Sequence, residues 1–225
     1  MPEILYEDNH LISVNKRASD LVQGDKTGDE SLDLQVKQYL KKKYNKPGEV
    51  FLGVVHRLDR PVSGVLLFAR TSKALARLNT MFSTRQVRKI YWAVVKERPP
   101  EDEDTITNFM KKNEKQNKSF VYDSQVKGSK NAILSYKLIG RSENYYLLEI
   151  ELHTGRHHQI RAQLASIGCP VMGDLKYGFS RSNDDGSISL HSRRLEFSHP
   201  VTKEDITITA PLPAGNIWKA FENIE

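Results

Sequence analysis

Residues 56–64 read HRLDRPVSG and set one carboxylate, Asp59, between Arg57 and Arg60 in a stretch punctuated by Pro61 and Gly64. The apolar runs VFLGVV and VLLFA flank it. Proline and glycine favour a tight turn, so Asp59 is expected on a loop just ahead of a buried strand. A carboxylate there is either a turn-former or a reactive group; the two flanking arginines and the apolar runs on both sides shift weight toward the second without displacing the first.

Two further segments carry candidate chemistry. In TGRHHQIRAQLASIG (154–168) the spacing predicts a helix from about Arg156, with Thr154 as cap and Gly168 as stop. On that helix Arg156 and Ile160, and likewise His157 and Arg161, would be neighbours four residues apart. Arg161 would lie close to the apolar face, where a half-buried guanidinium needs a carboxylate or phosphate partner; two ordinary surface arginines at 156 and 161 fit the pattern equally well. Arg156 would occupy the first turn, where free backbone N–H groups favour an anion. His153, His157 and His158 lack an acidic co-ligand and are interrupted by Gly155, which does not make a metal site. In RKIYWAVV (88–95) strand alternation turns Tyr91 away from Ile90 and Trp92. An aromatic beside Arg88 and Lys89 can stack on an unpaired base, although a plain core position is the commoner use of such a tyrosine.

These segments need a scaffold. The pattern predicts strands around a turn at Asp8-Asn9, a helix over 31–45 capped by Ser31, a buried strand over 64–70 and a helix over 71–86 capped by Thr71 or Ser72. Further strands are expected over 88–97, 132–140, 145–153, 189–200 and 205–211, with a short terminal helix. Residues 98–130, acidic and then lysine-rich, read as an exposed hairpin or loop insertion whose lysines form either a solvated face or a phosphate-tracking surface. Many strands with few helices indicate an α+β domain on a largely antiparallel sheet.

With 225 residues, 38% hydrophobic and 28% charged, the chain suits one folded domain. Its 34 basic against 28 acidic residues give a net charge of +6, which suits a polyanionic partner. No apolar run approaches the roughly 18–20 residues of a bilayer span, so no membrane partner is expected. The first residues lack a secretory pattern, and Cys169, the single cysteine, has no disulfide partner, which points to the cytoplasm.

Taken together, HRLDRPVSGVLLFAR (56–70), KIYWAVV (89–95) and LHTGRHHQIRAQLASIGCPVMGDLKYG (152–178) resemble the RluA family of RNA pseudouridine synthases, in the family's order. The opening ILYEDNHLISVNKRASDLV is similar to its N-terminal strand pair. The resemblance implies a pseudouridine-synthase-like fold and a cofactor-free isomerase. A uridine in ribosomal or transfer RNA is detached at N1, turned and rejoined through C5. It also implies roles: Asp59 as the catalytic carboxylate, Tyr91 as the residue that stacks on the base and helps remove the C5 proton, and Arg161 as the partner of Asp59. Ile160 would line the base pocket and Arg57 would fill the gap left by the flipped nucleotide. His56, Arg60 and Arg156 complete the candidate substrate-binding set.

Elementary chemistry is consistent with these roles. A paired arginine keeps a carboxylate ionised and aimed, extrusion of a base must be offset by stacking, and apolar walls keep water from a broken glycosidic bond. Ordinary glycosidases use two carboxylates, against the one here. Asp59 attacking ribose, attacking the base, or assisting ribose deprotonation are all compatible with the pattern. Two departures stand out: Lys16-Arg17 replaces a common Lys-Pro pair, and the chain starts without the S4-type RNA-binding domain of many members. A monomer acting on an RNA stem-loop, with no DNA partner, is therefore expected. The competing readings are a catalytically idle RNA-binding or ribosome-assembly protein on the same fold, and a metal-dependent nucleic-acid hydrolase, for which a carboxylate or histidine cluster is lacking.

Overall fold

In chain order, the first elements are β1 (Glu3–Glu7), β2 (Leu11–Lys16), α1 (Leu32–Lys43), β3 (Gly53–Val54), β4 (Ser63–Ala69) and α2 (Ser72–Ser83). There follow β5 (Arg88–Val95), β6 (Glu103–Asn113), β7 (Lys118–Tyr122), β8 (Lys130–Arg141), β9 (Tyr146–Leu152), α3 (Gln159–Ser166) and a 3₁₀ turn at Leu175–Tyr177. The chain closes with β10 (Leu190–Ser198), β11 (Asp205–Thr209) and α4 (Asn216–Lys219). This is a computed structural model, and it describes residues 1–24 and 28–224. The elements fall into two units, Met1–Val87 with Ser192–Pro211, and Arg88–His191 with Leu212–Glu225.

In the first unit the strands run β1-β2-β4-β10, with β3 beside β4 and β11 beside β10. Asp8 forms the β1–β2 turn by accepting the N–H groups of His10 and Leu11, both at 2.7 Å. Every residue of β4 is buried, as its unbroken apolar run predicts. Thr71 caps α2 by accepting the Ala74 N–H at 3.1 Å. Leu78 and Ala74 of that helix pack on Leu11, Val65, Leu67, Leu195 and Phe197. Ser31 precedes α1 as expected, but its hydroxyl donates to Asp33 instead of capping the helix. Helix α1 still buries Leu32, Val36 and Leu40 on one face.

The second unit is an antiparallel sheet in the order β5-β9-β8-β6-β7. Alternation along β5 sends Ile90, Trp92 and Val94 into one cluster with Leu147, Trp218 and Phe221, and Tyr91 to the opposite face. The lysine-rich stretch is a hairpin of long strands: β6 pairs with both β8 and β7 and buries Ile106 and Met110. Helix α3 is shorter than its periodicity predicts. It starts at Gln159, so Arg156 and His157 lie ahead of it and do not form helical pairs with Ile160 and Arg161. Two local facts delay the start. His158 sits in the left-handed region (φ 53°), and the Gln159 side chain folds back to accept the Arg156 N–H at 3.0 Å. Thr154 caps nothing; its hydroxyl donates to Gln159 Oε1 at 2.7 Å. Gly168, at φ 79°, follows the helix end as expected.

Candidate active site

In the first unit Asp59 is half-buried on the loop between β3 and β4. Its carbonyl accepts the Val62 N–H at 3.0 Å, closing the turn that Pro61 and Gly64 led one to expect. Gly64 is required for a specific reason. Its φ is +113°, and a Cβ there would collide with the backbone of Ser192.

The turn is held from beneath by a residue to which the sequence reading gave no function. β2 pairs with β4 in a register that sets Lys16 opposite Gly64. The fully buried Lys16 ammonium donates to the carbonyls of Arg60 (3.0 Å), Val62 (2.7 Å) and Arg17 (3.0 Å). Burial lowers its pKa to about 8 from 10.5, with the charges of Asp20 and Asp59 working against that fall. Because the unfolded chain then binds more protons than the native one between pH 8 and 10.5, this lysine makes stability rise with pH across that window. Lys16→Met is expected to abolish that rise and, by orphaning three carbonyls, to cost about 2 kcal/mol or more at pH 7. Urea unfolding of both proteins from pH 7 to 10.5 checks it; parallel pH profiles would contradict the assignment.

The other candidates in this loop differ in setting. Arg57 is exposed. Arg60 is exposed too, in an ion pair with Asp29 at 2.7 Å and a hydrogen bond to the Ser19 carbonyl at 3.2 Å. Such an exposed pair is worth at most about 1 kcal/mol, so a phosphate can displace Asp29. His56 has structural work: Nε2 accepts the Leu67 N–H at 3.0 Å, and its ring stacks on Phe82 at 5.0 Å.

In the second unit Arg161 is 5% exposed. The carboxylate partner that its burial demands is Asp174, which the sequence reading did not assign. Nε and Nη2 donate to the two Asp174 oxygens at 2.6 and 2.9 Å, a bidentate clamp. The Tyr177 ring lies 5.1 Å from the guanidinium. Tyr177 Oη accepts the Ser119 N–H at 2.8 Å and is 3.0 Å from His158 Nδ1. His158 is neutral, its pKa pushed down to about 3 by burial and then by the charges of Arg161, His157 and Lys176. Ile160 (4% exposed) and Tyr91 (7%) are buried, and Arg156 donates through Nε to the Asn131 carbonyl at 2.8 Å. Gln159 and Gln163, bonded to each other at 2.9 Å, tie α3 to the carbonyls of Ile133, Ile106 and Ala132. The paired amides inside HQIRAQ were the available signal for that network.

The RNA pseudouridylate synthase family model matches residues 10–166, from β2 into the last turn of α3. The chain belongs to that family. The match takes in both the Asp59 turn and Arg161. A tRNA pseudouridine synthase C of Vibrio vulnificus is 30% identical, covering 100% of this chain and 96% of that protein. A ribosomal large subunit pseudouridine synthase C of Rickettsia prowazekii is 35% identical over 93% of this chain and 68% of its own length. An uncharacterized RNA pseudouridine synthase of Synechocystis is 32% identical over 94% of this chain, which spans 66% of that protein. Among solved structures, human RNA pseudouridylate synthase domain containing 4 shares the fold, with a TM-score of 0.79, 21% identity, and coverage of 94% of this chain and 88% of that one. No described helix is long and apolar enough to cross a membrane.

Proposed function

We propose that this chain isomerises uridines in RNA to pseudouridine, with Asp59 as the catalytic carboxylate. The observation that carries the reading is a carboxylate mounted on a turn whose backbone is pinned by the buried Lys16 ammonium, within a chain of the pseudouridylate synthase family. A reaction that breaks one glycosidic bond and rejoins the same two fragments rewards a rigidly aimed group and a dry site more than added cofactors. In the reaction the N1–C1′ bond breaks, C5 bonds to C1′, C5 loses its proton and N1 gains one, so no cofactor or net water is consumed.

Tyr91 stacks on the uracil and assists loss of the C5 proton, Ile160 walls the base, and Arg57 takes the place of the extruded nucleotide. Arg161, aimed by its bidentate clamp on Asp174, is the basic member of the catalytic set. Arg60, Arg156 and His56 complete the substrate side. The enzyme works as a cytoplasmic monomer on a stem-loop of transfer RNA or large-subunit ribosomal RNA, the RNA classes in the names of its relatives. Mapping pseudouridines in total RNA from cells with and without the gene tests this. At least one site is expected to vanish in the deletion and return with the wild-type gene, whereas an unchanged map in both would argue for the idle RNA-binding alternative.

A further inference from the structure

Strand alternation sorts the β6–β7–β8 sheet into two unlike faces. Inward lie Ile106, Met110, Ser119, Ala132 and Leu134, all buried, with Met110 and Ala132 packed on Ala162 of α3 and on Tyr177. The outward residues would ordinarily be polar, yet three of them are aromatic. The register sets Phe109 directly across from Tyr122, and Lys111 directly across from Phe120. Phe120 is 38% exposed, Phe109 and Tyr122 are half-buried, and Lys111 is exposed. The Lys118 ammonium stands 5.8 Å from the Phe120 ring centre.

Charge is distributed to match. Residues 111–130 hold six lysines (111, 112, 115, 118, 127 and 130) against two acids, Glu114 and Asp123. Glu114 is engaged by Lys112 at 2.6 Å. The loop at Gly128 lies against the Lys111 stem, since a Cβ there would come within 3.6 Å of Lys111 Cε. Rings side by side on an open sheet face, rimmed by lysines, offer unpaired nucleotides stacking surfaces and phosphate charges at once.

We propose that this outer face is a stacking platform for an unpaired RNA segment flanking the target nucleotide. The proposal deepens the RNA-modifying reading and rests on it for the identity of the partner. The hairpin is also fixed to the helix that carries Arg161: the His157 ring bonds to Ser119 Oγ at 2.9 Å and to Asn117 Oδ1 at 3.1 Å, just ahead of α3. A strand stacked on the platform is thereby held on the same rigid element as the Arg161 clamp.

Fluorescein-labelled oligo(A)12 is the probe, because it offers bases and phosphates but no uridine to isomerise. Measured by anisotropy, the full chain is expected to bind it, Phe120→Ala about tenfold more weakly, and Phe120→Trp close to the parent. Lys111→Gln combined with Lys118→Gln is expected to flatten the slope of log Kd against log salt by about 1.4, two phosphates' worth for a single strand. Asp59→Ala should keep the parent's affinity, so loss of isomerisation and loss of platform binding are read separately. The proposal is overturned if the parent does not bind the probe, or if Phe120→Ala, folded by circular dichroism, binds it as tightly as the parent. It is overturned equally if the parent is a dimer that Phe120→Ala dissolves while its affinity for the probe is unchanged, for then the face serves a second copy of the chain.

Discussion

Asp59→Ala is expected to lower pseudouridine formation by at least about 10³-fold while leaving RNA affinity within a few-fold of the parent. Removing a group that takes part directly in bond making typically costs three to six orders of magnitude in rate. Binding should survive because it rests on positive charge and stacking, and deleting an acid from beside Arg57 and Arg60 removes a repulsion toward phosphate. The fold should survive as well. The turn is closed by the Asp59 carbonyl and held by the Lys16 ammonium on the Arg60 and Val62 carbonyls, none of which involves the carboxylate. Asp59→Asn separates charge from shape and should be nearly as inactive. Single-turnover conversion of a purified RNA substrate, with filter binding on the same preparations, makes the test. Near-normal conversion by Asp59→Ala would remove Asp59 from the mechanism.

The second large effect is on stability. Asp174→Ala is expected to destabilise the protein by about 3–5 kcal/mol, because it leaves the Arg161 guanidinium charged and without its clamp at 5% exposure. Against a typical total of roughly 5–15 kcal/mol, that is a large fraction. The Asp174 carboxylate is itself 1% exposed, and its backbone carbonyl accepts the N–H groups of Tyr177 and Phe179. Removing both charges is a different experiment. Arg161→Met with Asp174→Leu should recover most of the lost stability, since apolar pairs of similar volume often match or exceed a buried ion pair. That double variant should still fail to isomerise uridine. Denaturant unfolding of the parent, Arg161→Met, Asp174→Leu and the double variant, completed as a cycle, reads the coupling directly. A loss below about 1 kcal/mol in Asp174→Ala would show that the clamp is not what keeps Arg161 buried.

Both results depend on features with unequal visibility in the sequence. That Asp59 sits in a turn before a buried strand was legible, because proline, glycine and an unbroken apolar run act over a few residues. The α2 cap at Thr71 and the alternation of β5 were legible on the same ground. So was the need of Arg161 for an anionic partner, which follows from its place in an apolar segment. The start of α3 was not, because periodicity gives no warning that His158 adopts a left-handed backbone and that Gln159 satisfies the Arg156 N–H.

The amino-acid sequence by itself determined the candidate residues for the chemistry, their order and the family to which the chain belongs. The tertiary structure alone decided who holds them. Asp174 lies 13 residues beyond Arg161, across the helix end and a turn, and no local rule pairs them. Lys16 reaches the Asp59 turn, 46 residues away at Val62, only because the β2–β4 register sets it opposite Gly64. Phe109, Phe120 and Tyr122 share a face only because β6 and β7 pair as they do. Local propensity acts over a few neighbours, whereas buried charges and strand registers are settled by contacts between distant segments, where the cost of leaving a group unpaired selects its partner.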